Sequence, residues 1–258
     1  MMNLFKEVGK AYYRVRGYYP ACIHGEHFKL DPFHIGFWRD ASKSQWETDT
    51  YKILKRYLNE DSLYCDIGAW IGPTVIYAAK ICKQVVCFEP DPFAYKYLRW
   101  NIDLNELDNV KSFNIALSNQ LAIMQMSSFD GTLGDSTSSL LNKNKKSKQI
   151  DVVTLSWDQY IKMSNIGKID FLKIDIEGGE FELIPTLKEY LAEYKPIVYL
   201  STHAPFLDTS TRKAKLLQII ETLSIYKTCL NENMMSIEIS KLSEEHTQSN
   251  FCSYLFMD

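Results

Sequence analysis

The sequence has no C-x-x-C pair. Its six cysteines (Cys22, Cys65, Cys82, Cys87, Cys229 and Cys252) are scattered, so a thiolate zinc site has no support. Cys65 and Cys87 lie inside apolar runs, where a reduced cysteine acts as a small hydrophobe, which fits a reducing compartment. No apolar run approaches the roughly 20 residues of a membrane span. Residues 1–20 mix Lys, Glu and Arg with aromatics and offer no apolar stretch for a signal peptide. A cytoplasmic protein without a transmembrane segment is therefore expected. Positive charge is not in excess: 29 Lys plus Arg stand against 32 Asp plus Glu, a formal charge of -3. A nucleic-acid partner, which needs a basic footprint, is not expected. Internal repeats are absent too. What the chain does have is apolar material, 46% of its 258 residues, enough for a sizeable core and too much for disorder.

Residues 1–45 read as an arm ahead of the main domain, which occupies residues 46–258. Turn signals at His24-Gly25-Glu26 and Asp31-Pro32 separate short apolar pieces, as in a small hairpin. Ser44-Gln45-Trp46-Glu47 has the spacing of a capping box and predicts a helix start. Strands and helices then alternate. Strands are expected at 62–67, 84–89, 110–115, 121–129, 150–155, 169–174 and 196–200, and helices at 74–82, 92–104, 156–163 and 211–223. The pair Asp91-Pro92 is a strong start signal for the second of these helices. Three further strands, 226–230, 235–239 and 251–256, close the chain. Alternation with short connections implies a parallel sheet covered on both faces, and the final strands imply an antiparallel edge.

The segment Cys65-Asp66-Ile67-Gly68-Ala69-Trp70-Ile71-Gly72 takes a strand into a glycine turn and then a helix. Such a turn brings backbone close to a ligand at a helix N-terminus. Glu89, at the end of the next strand, can accept hydrogen bonds from a ribose diol. A nucleoside-bearing cofactor is implied. A dinucleotide wants G-x-G-x-x-G for its pyrophosphate; here Trp70 replaces a glycine and the acid Asp66 precedes the loop. A carboxylate suits an ammonium and a sulfonium better, which favours S-adenosylmethionine over a nicotinamide dinucleotide. The plainer alternative is that Asp66 caps the turn and Gly68 only shapes it.

A second cluster, Asp175-Ile176-Glu177-Gly178-Gly179-Glu180, follows the strand at 169–174. In open parallel sheets ligands bind beyond that carboxyl edge. Asp175 and Glu177 share a side if the strand continues, and Glu180 reads as a first-turn acid favoured by the helix dipole. His203 stands beyond the next strand, where a histidine can serve as a general base.

Taken together and in order, these segments resemble the FkbM family of S-adenosylmethionine-dependent methyltransferases. The resemblance runs over about residues 46–205 and is carried by Trp46-Glu47, the Asp66-to-Gly72 loop, Phe88-Glu89-Pro90-Asp91-Pro92 and Asn114-Ile115-Ala116-Leu117-Ser118. Ser136 to Ser139, Thr154-Leu155-Ser156-Trp157-Asp158 and Lys173-Ile174-Asp175-Ile176-Glu177-Gly178-Gly179-Glu180 complete it. It implies an α/β class I methyltransferase fold, a Rossmann-like three-layer sandwich. Its mostly parallel seven-stranded sheet would end on an antiparallel strand. Asp66, Gly68, Ala69, Trp70 and Gly72 would frame the methionine end of the cofactor. Glu89 and Pro90 would flank the ribose, and Asn114 and Ala116 would lie near adenine. The family commonly methylates hydroxyls on sugars or related products, so a small-molecule or glycan acceptor is implied. This chain departs from the family at Ser201-Thr202, where an acid usually precedes the histidine, and at Ser156, where aspartate is usual.

In-line methyl transfer needs alignment, water exclusion and a base. His203 is the expected base, with Asp175 or Glu177 orienting it or the substrate. A divalent ion on Asp175 and His203 is the alternative, but no ligand spacing demands a metal. His24, His27 and Cys22 read as a polar hairpin turn before they read as metal ligands. The run Lys143, Lys145, Lys146, Lys148 reads as a solvated loop. The arm's aromatics (among them Tyr12, Phe33, Phe37 and Trp38) could lid the site, pack on the core or make a dimer contact. The rival readings are a nicotinamide-dependent oxidoreductase and a catalytically inactive assembly protein. The sequence specifies neither acceptor nor oligomeric state.

Overall fold

The computed structural model describes residues 2–129, 131–141 and 148–258, with side chains from residue 8 onward. The chain starts with α1 (Met2–Arg16), a hairpin of β1 (Tyr19–Ile23) and β2 (Glu26–Leu30), α2 (Ile35–Ser42) and α3 (Thr48–Tyr57). The first sheet half follows as β3 (Leu63–Ile67), α4 (Pro73–Ala79), β4 (Gln84–Phe88), α5 (Pro92–Leu104) and β5 (Val110–Phe113). A smaller layer is built from β6 (Ala116–Ser118), β7 (Ala122–Ser128), β8 (Ser138–Ser139) and β9 (Gln149–Ser156). The second half contains α6 (Trp157–Ser164), β10 (Phe171–Ile174), α7 (Glu180–Leu183), α8 (Lys188–Tyr194), β11 (Ile197–Thr202) and α9 (Thr209–Leu223). It ends on β12 (Thr228–Asn231), α10 (Glu245–Ser249) and β13 (Cys252–Met257).

The main sheet has seven strands in the order β12-β13-β11-β10-β3-β4-β5. Strand β13 runs antiparallel to both neighbours, and the other pairs are parallel. This is the expected class I methyltransferase architecture. The strand order reverses between β3 and β10, which creates the crevice where such sheets bind ligands. The central strands carry apolar side chains on both faces because helices cover both. Tyr64 and Phe171 belong to one core, and Cys65, Ile67, Leu172 and Ile174 to the other. Burial of each such side chain contributes about 1.5–3 kcal/mol.

The hairpin supplies core as well as surface. Ile23, Leu30 and Trp38 are fully buried. Buried Asp31 accepts from the amides of Phe33 and His34 (3.0 Å each) and from Trp38 Nε1 (2.9 Å), so its carboxylate is satisfied. Its own amide donates to Asn101 on α5 at 2.7 Å. The helix starts at Asp91 and Ser156 are as expected: Asp91 accepts from the Phe93 amide, and Ser156 forms a full capping box with Gln159.

Two local expectations are corrected. Ser44 and Glu47 form no capping box: both sit at positive φ (53° and 38°), and α3 begins at Thr48 without a side-chain cap. Residues 235–239 are not a strand. A turn at Asn231 returns the chain for one bridge, Leu230 to Ser236, and a 3-10 turn at Ile239–Ser243 then buries Leu242. Among the described residues no helix is long and apolar enough to cross a membrane.

Candidate active site

The register of the central strands decides what stands at the crevice. Lys173 on β10 pairs with Asp66 on β3 and with Tyr199 on β11. Parallel pairing thus brings Lys173 Nζ to 3.4 Å from Asp66 Oδ1 and 3.4 Å from Asp175 Oδ2. Burial alone would depress the lysine, but the two carboxylates hold it above its ordinary range. Asp66 also accepts from Tyr64 Oη at 2.8 Å and Thr74 Oγ1 at 2.5 Å. Its carboxylate is fully buried and lines neither of the two cavities at this crevice. Asp66 thus anchors Lys173 and, through Thr74, the segment after the glycine loop.

The loop after β3 passes very close to β10. Gly68, at φ +95°, has so little room that a Cβ would stand 1.8 Å from the Asp175 carbonyl oxygen. Trp70 takes a left-handed φ of 49°, and its amide donates to Glu89 Oε2 at 2.8 Å. Glu89 Oε1 accepts from the Asp91 amide at 2.7 Å. Burial raises the Glu89 carboxyl to about 8, although both amides favour its charged form. Each of its oxygens keeps a lone pair for a further donor. Asn114 Nδ2 donates to the carbonyls of Glu89 (2.7 Å) and Pro90 (3.0 Å), which fixes this corner.

A pocket of about 830 Å³ opens here. Gly68, Trp70, Glu89, Pro90 and Ala116 line one side, and Asp175 and Glu177 the other. A second recess, of about 510 Å³, adjoins it and shares Gly68, Trp70, Asp175 and Glu177. Ala69 lines the recess. Gly72 and Asn114 line neither; Gly72 caps α4 with its Cα against Leu98, and Asn114 acts through the backbone.

His203 lies behind the pocket wall, 7% exposed, and lines neither cavity. Its Nε2 is 3.5 Å from Asp175 Oδ1 and 3.5 Å from Glu177 Oε2, and its Nδ1 is 3.3 Å from Glu180 Oε1. Burial would lower its pKa, but Glu180, Asp175 and Glu177 outweigh that and raise it to about 9. Burial pushes Glu177 up to about 7 against the pull of His203. Asp175 stays below its usual range because Lys173 and His203 overcome the cost of its burial.

Sequence reading missed Glu180 as a buried anchor. It is fully buried and accepts from the amides of His203 (2.6 Å) and Gly178 (2.8 Å). It thus gives His203 the carboxylate that Ser201-Thr202 do not. Only the fold brings these residues together, and a first-turn acid leaves no local trace of such a task.

The FkbM methyltransferase domain profile matches residues 66–251. The chain belongs to the FkbM methyltransferase domain family. Among curated relatives, Methyltransferase 1 of Beauveria bassiana is 24% identical over 150 residues (50% of this chain, 60% of that protein). A tRNA (guanine(37)-N(1))-methyltransferase of Saccharomyces cerevisiae is 36% identical over 81 residues, 30% of this chain and 16% of that protein. The chain thus spans less than two thirds of either relative. Two solved structures resemble this chain at low identity. FkbM of Methylobacillus flagellatus KT matches with a TM-score of 0.48 at 15% identity, over 84% of this chain and 60% of that one. SMU.1697c of Streptococcus mutans, in complex with SAH, matches with a TM-score of 0.46 at 10% identity, over 81% and 96%.

The donor set of the FkbM pocket fits S-adenosylmethionine. Glu89 suits a ribose diol, and the acids around Gly68 suit a cationic sulfonium and ammonium. Asp175, Glu177 and His203 also have ligand atoms within 4.8 Å of one another, a grouping that could hold a divalent cation. His24 stacks on Tyr51 in the hairpin turn, with ring centroids 4.4 Å apart. Of the arm's aromatics, Trp38 packs in the core and Phe37 meets Trp70 of the glycine loop at 4.7 Å. Lys143, Lys145 and Lys146 lie outside the described residues; Lys148 sits over the Phe93 ring at 5.2 Å.

Proposed function

We propose that this protein transfers a methyl group from S-adenosylmethionine to a hydroxyl of a small molecule or glycan. The observation that carries the reading is the meeting of the two cavities at Asp175 and Glu177, on the carboxyl edge of β10. Glu89 and Ala116 would hold the adenosine end of the donor, and the backbone at Gly68 its centre. S-adenosylmethionine supplies the electrophilic methyl group. The chain supplies alignment, a pocket that excludes water, and a proton acceptor.

The proton-acceptor role is assigned here to Glu177 in place of His203. It lines both cavities, whereas His203 lies behind it. A carboxylate raised to about 7 by burial is matched to taking a proton near neutral pH. His203 then acts as a positioning residue: its imidazolium, 3.5 Å away, favours the ionised form of Glu177. Labelled donor offered to hydroxylated acceptors, amines and tRNA tests the reading. Transfer to hydroxyls with Glu177→Gln slowed ~100-fold or more is expected. Transfer only to nitrogen or to tRNA, or full turnover by Glu177→Gln, would overturn it.

The ligand spacing of Asp175, Glu177 and His203 favours a second reading, in which a divalent cation lowers the hydroxyl pKa. Turnover that chelator abolishes and Mn²⁺ restores would select it. Unchanged turnover in chelator selects the carboxylate.

A further inference from the structure

The face that α1 turns to solvent is its apolar one. An amphipathic helix of a globular protein normally buries that face against the core. Here Val8, Tyr12 and Val15 follow one another at steps of four and three residues. At 3.6 residues per turn they fall within about 60° of one another around the axis. They are 60%, 59% and 91% exposed. Tyr13, about 100° on from Tyr12, makes the packing contact instead. Its ring lies 5.0 Å from that of Tyr19 on β1. A contiguous apolar stripe left in water marks an interaction surface.

Charge indicates what covers it. The helix carries Lys6, Lys10, Arg14 and Arg16 against one acid, Glu7, in a chain whose formal charge is -3. Arg14 and Arg16 are exposed. They lie over aromatic rings, Arg14 over Phe33 at 5.1 Å and Arg16 over Tyr18 at 4.3 Å. The cations continue beyond the helix. A groove of about 1120 Å³ begins at Arg16 and is lined by His27, Lys29 and Lys80, with Glu106 its one acid. Two copies of α1 laid stripe to stripe would bring like charges together, which opposes association. A surface that is apolar within and anionic at its rim answers both the stripe and the cations. The interface of a bilayer with acidic headgroups is such a surface.

We propose that α1 lies on an anionic membrane surface. Val8, Tyr12 and Val15 enter the acyl boundary, and the cations of α1 and of the adjoining groove meet lipid phosphates. Tyrosine suits this depth, because its ring is apolar and its hydroxyl can stay wet. The chain then binds the membrane without crossing it. The proposal concerns where the protein acts and stands apart from the choice of acceptor atom.

The test is co-sedimentation of the full chain with vesicles, without cofactor or acceptor. Vesicles of phosphatidylcholine and phosphatidylglycerol in equal parts should bring the wild type down. Phosphatidylcholine alone should bind it ~10-fold or more weakly. Val8→Gln with Val15→Gln keeps a good helix former at each exposed position and removes the apolar stripe. This variant should bind mixed vesicles ~10-fold or more weakly at an unchanged melting temperature. Lys29→Gln with Lys80→Gln should weaken binding several-fold on mixed vesicles and leave it unchanged on neutral ones. A wild type that stays in solution with mixed vesicles overturns the proposal. So does a doubly substituted stripe that binds as the wild type does, or equal binding of the wild type to both vesicle types. A wild-type dimer that the Val8→Gln, Val15→Gln variant turns into a monomer assigns the stripe to a second copy and also overturns it.

Discussion

At Gly68 the absence of a single carbon lets the glycine loop close on β10. Gly68→Ala places a Cβ 1.8 Å from a backbone oxygen, at a φ of +95°. The variant should lose ~3 kcal/mol or more in urea titrations and fail to bind S-adenosylhomocysteine. Lys173→Met leaves Asp66 and Asp175 without their buried partner and should cost about 3–5 kcal/mol by the same measurement. Glu89 gives a pH signature. Its folded pKa, about 8, lies above that of an unfolded glutamate, so its contribution to stability is complete below pH ~4.5 and is lost as pH rises through 8. The melting temperature of the wild type should therefore fall relative to Glu89→Gln between pH 5 and pH 9. A constant difference would show that Glu89 is not buried as described. Gly68 and Glu89 were legible because their tasks are local: a turn at one strand's end and an acid at the next. The contacts of Asp66 with Lys173 and of His203 with Glu180 were not legible, because the partners lie 107 and 23 residues apart in the chain.

Among the elements, legibility followed the range of the interactions. The helices after Asp91 and Ser156 announce themselves, because the cap and the first turn are adjacent in the chain. Strand β6 could not be read: its three residues, Ala116–Ser118, pair with Thr154, Leu155 and Ser156, and no local periodicity signals that. The capping box at Ser44 was a spacing without its geometry. The hairpin was legible from its turn, but its burial was not. Trp38→Ala removes a fully buried indole and its hydrogen bond to Asp31, and should cost ~3–5 kcal/mol in thermal or urea unfolding. A loss within 0.5 kcal/mol would mean that α2 is peripheral to the core.

For the molecule as a whole, alternating strands and helices were enough to read a parallel sheet with an antiparallel edge. The crevice follows from the strand order, with β3 and β10 adjacent at the centre. A ligand held there binds only the folded chain. S-adenosylhomocysteine at ~100 times its Kd should add about 2.7 kcal/mol. That amounts to several degrees in Tm for a protein of this size. NADH should give no shift, and a shift with NADH alone would point to a dinucleotide site.

The pairing of Lys173 with Asp66 closes a loop of 107 residues. Strands β4 and β5 and the whole smaller layer lie inside that loop. On a ribosome, the nucleoside half of the site, with its glycine turn and Glu89, emerges long before the edge that carries Asp175. The two halves meet only after β10 has left the exit tunnel, and His203 arrives later still with the end of β11. Nascent chains stopped before residue 171 thus contain the glycine loop but not the strand that completes its cleft. The cleft is then completed late in synthesis.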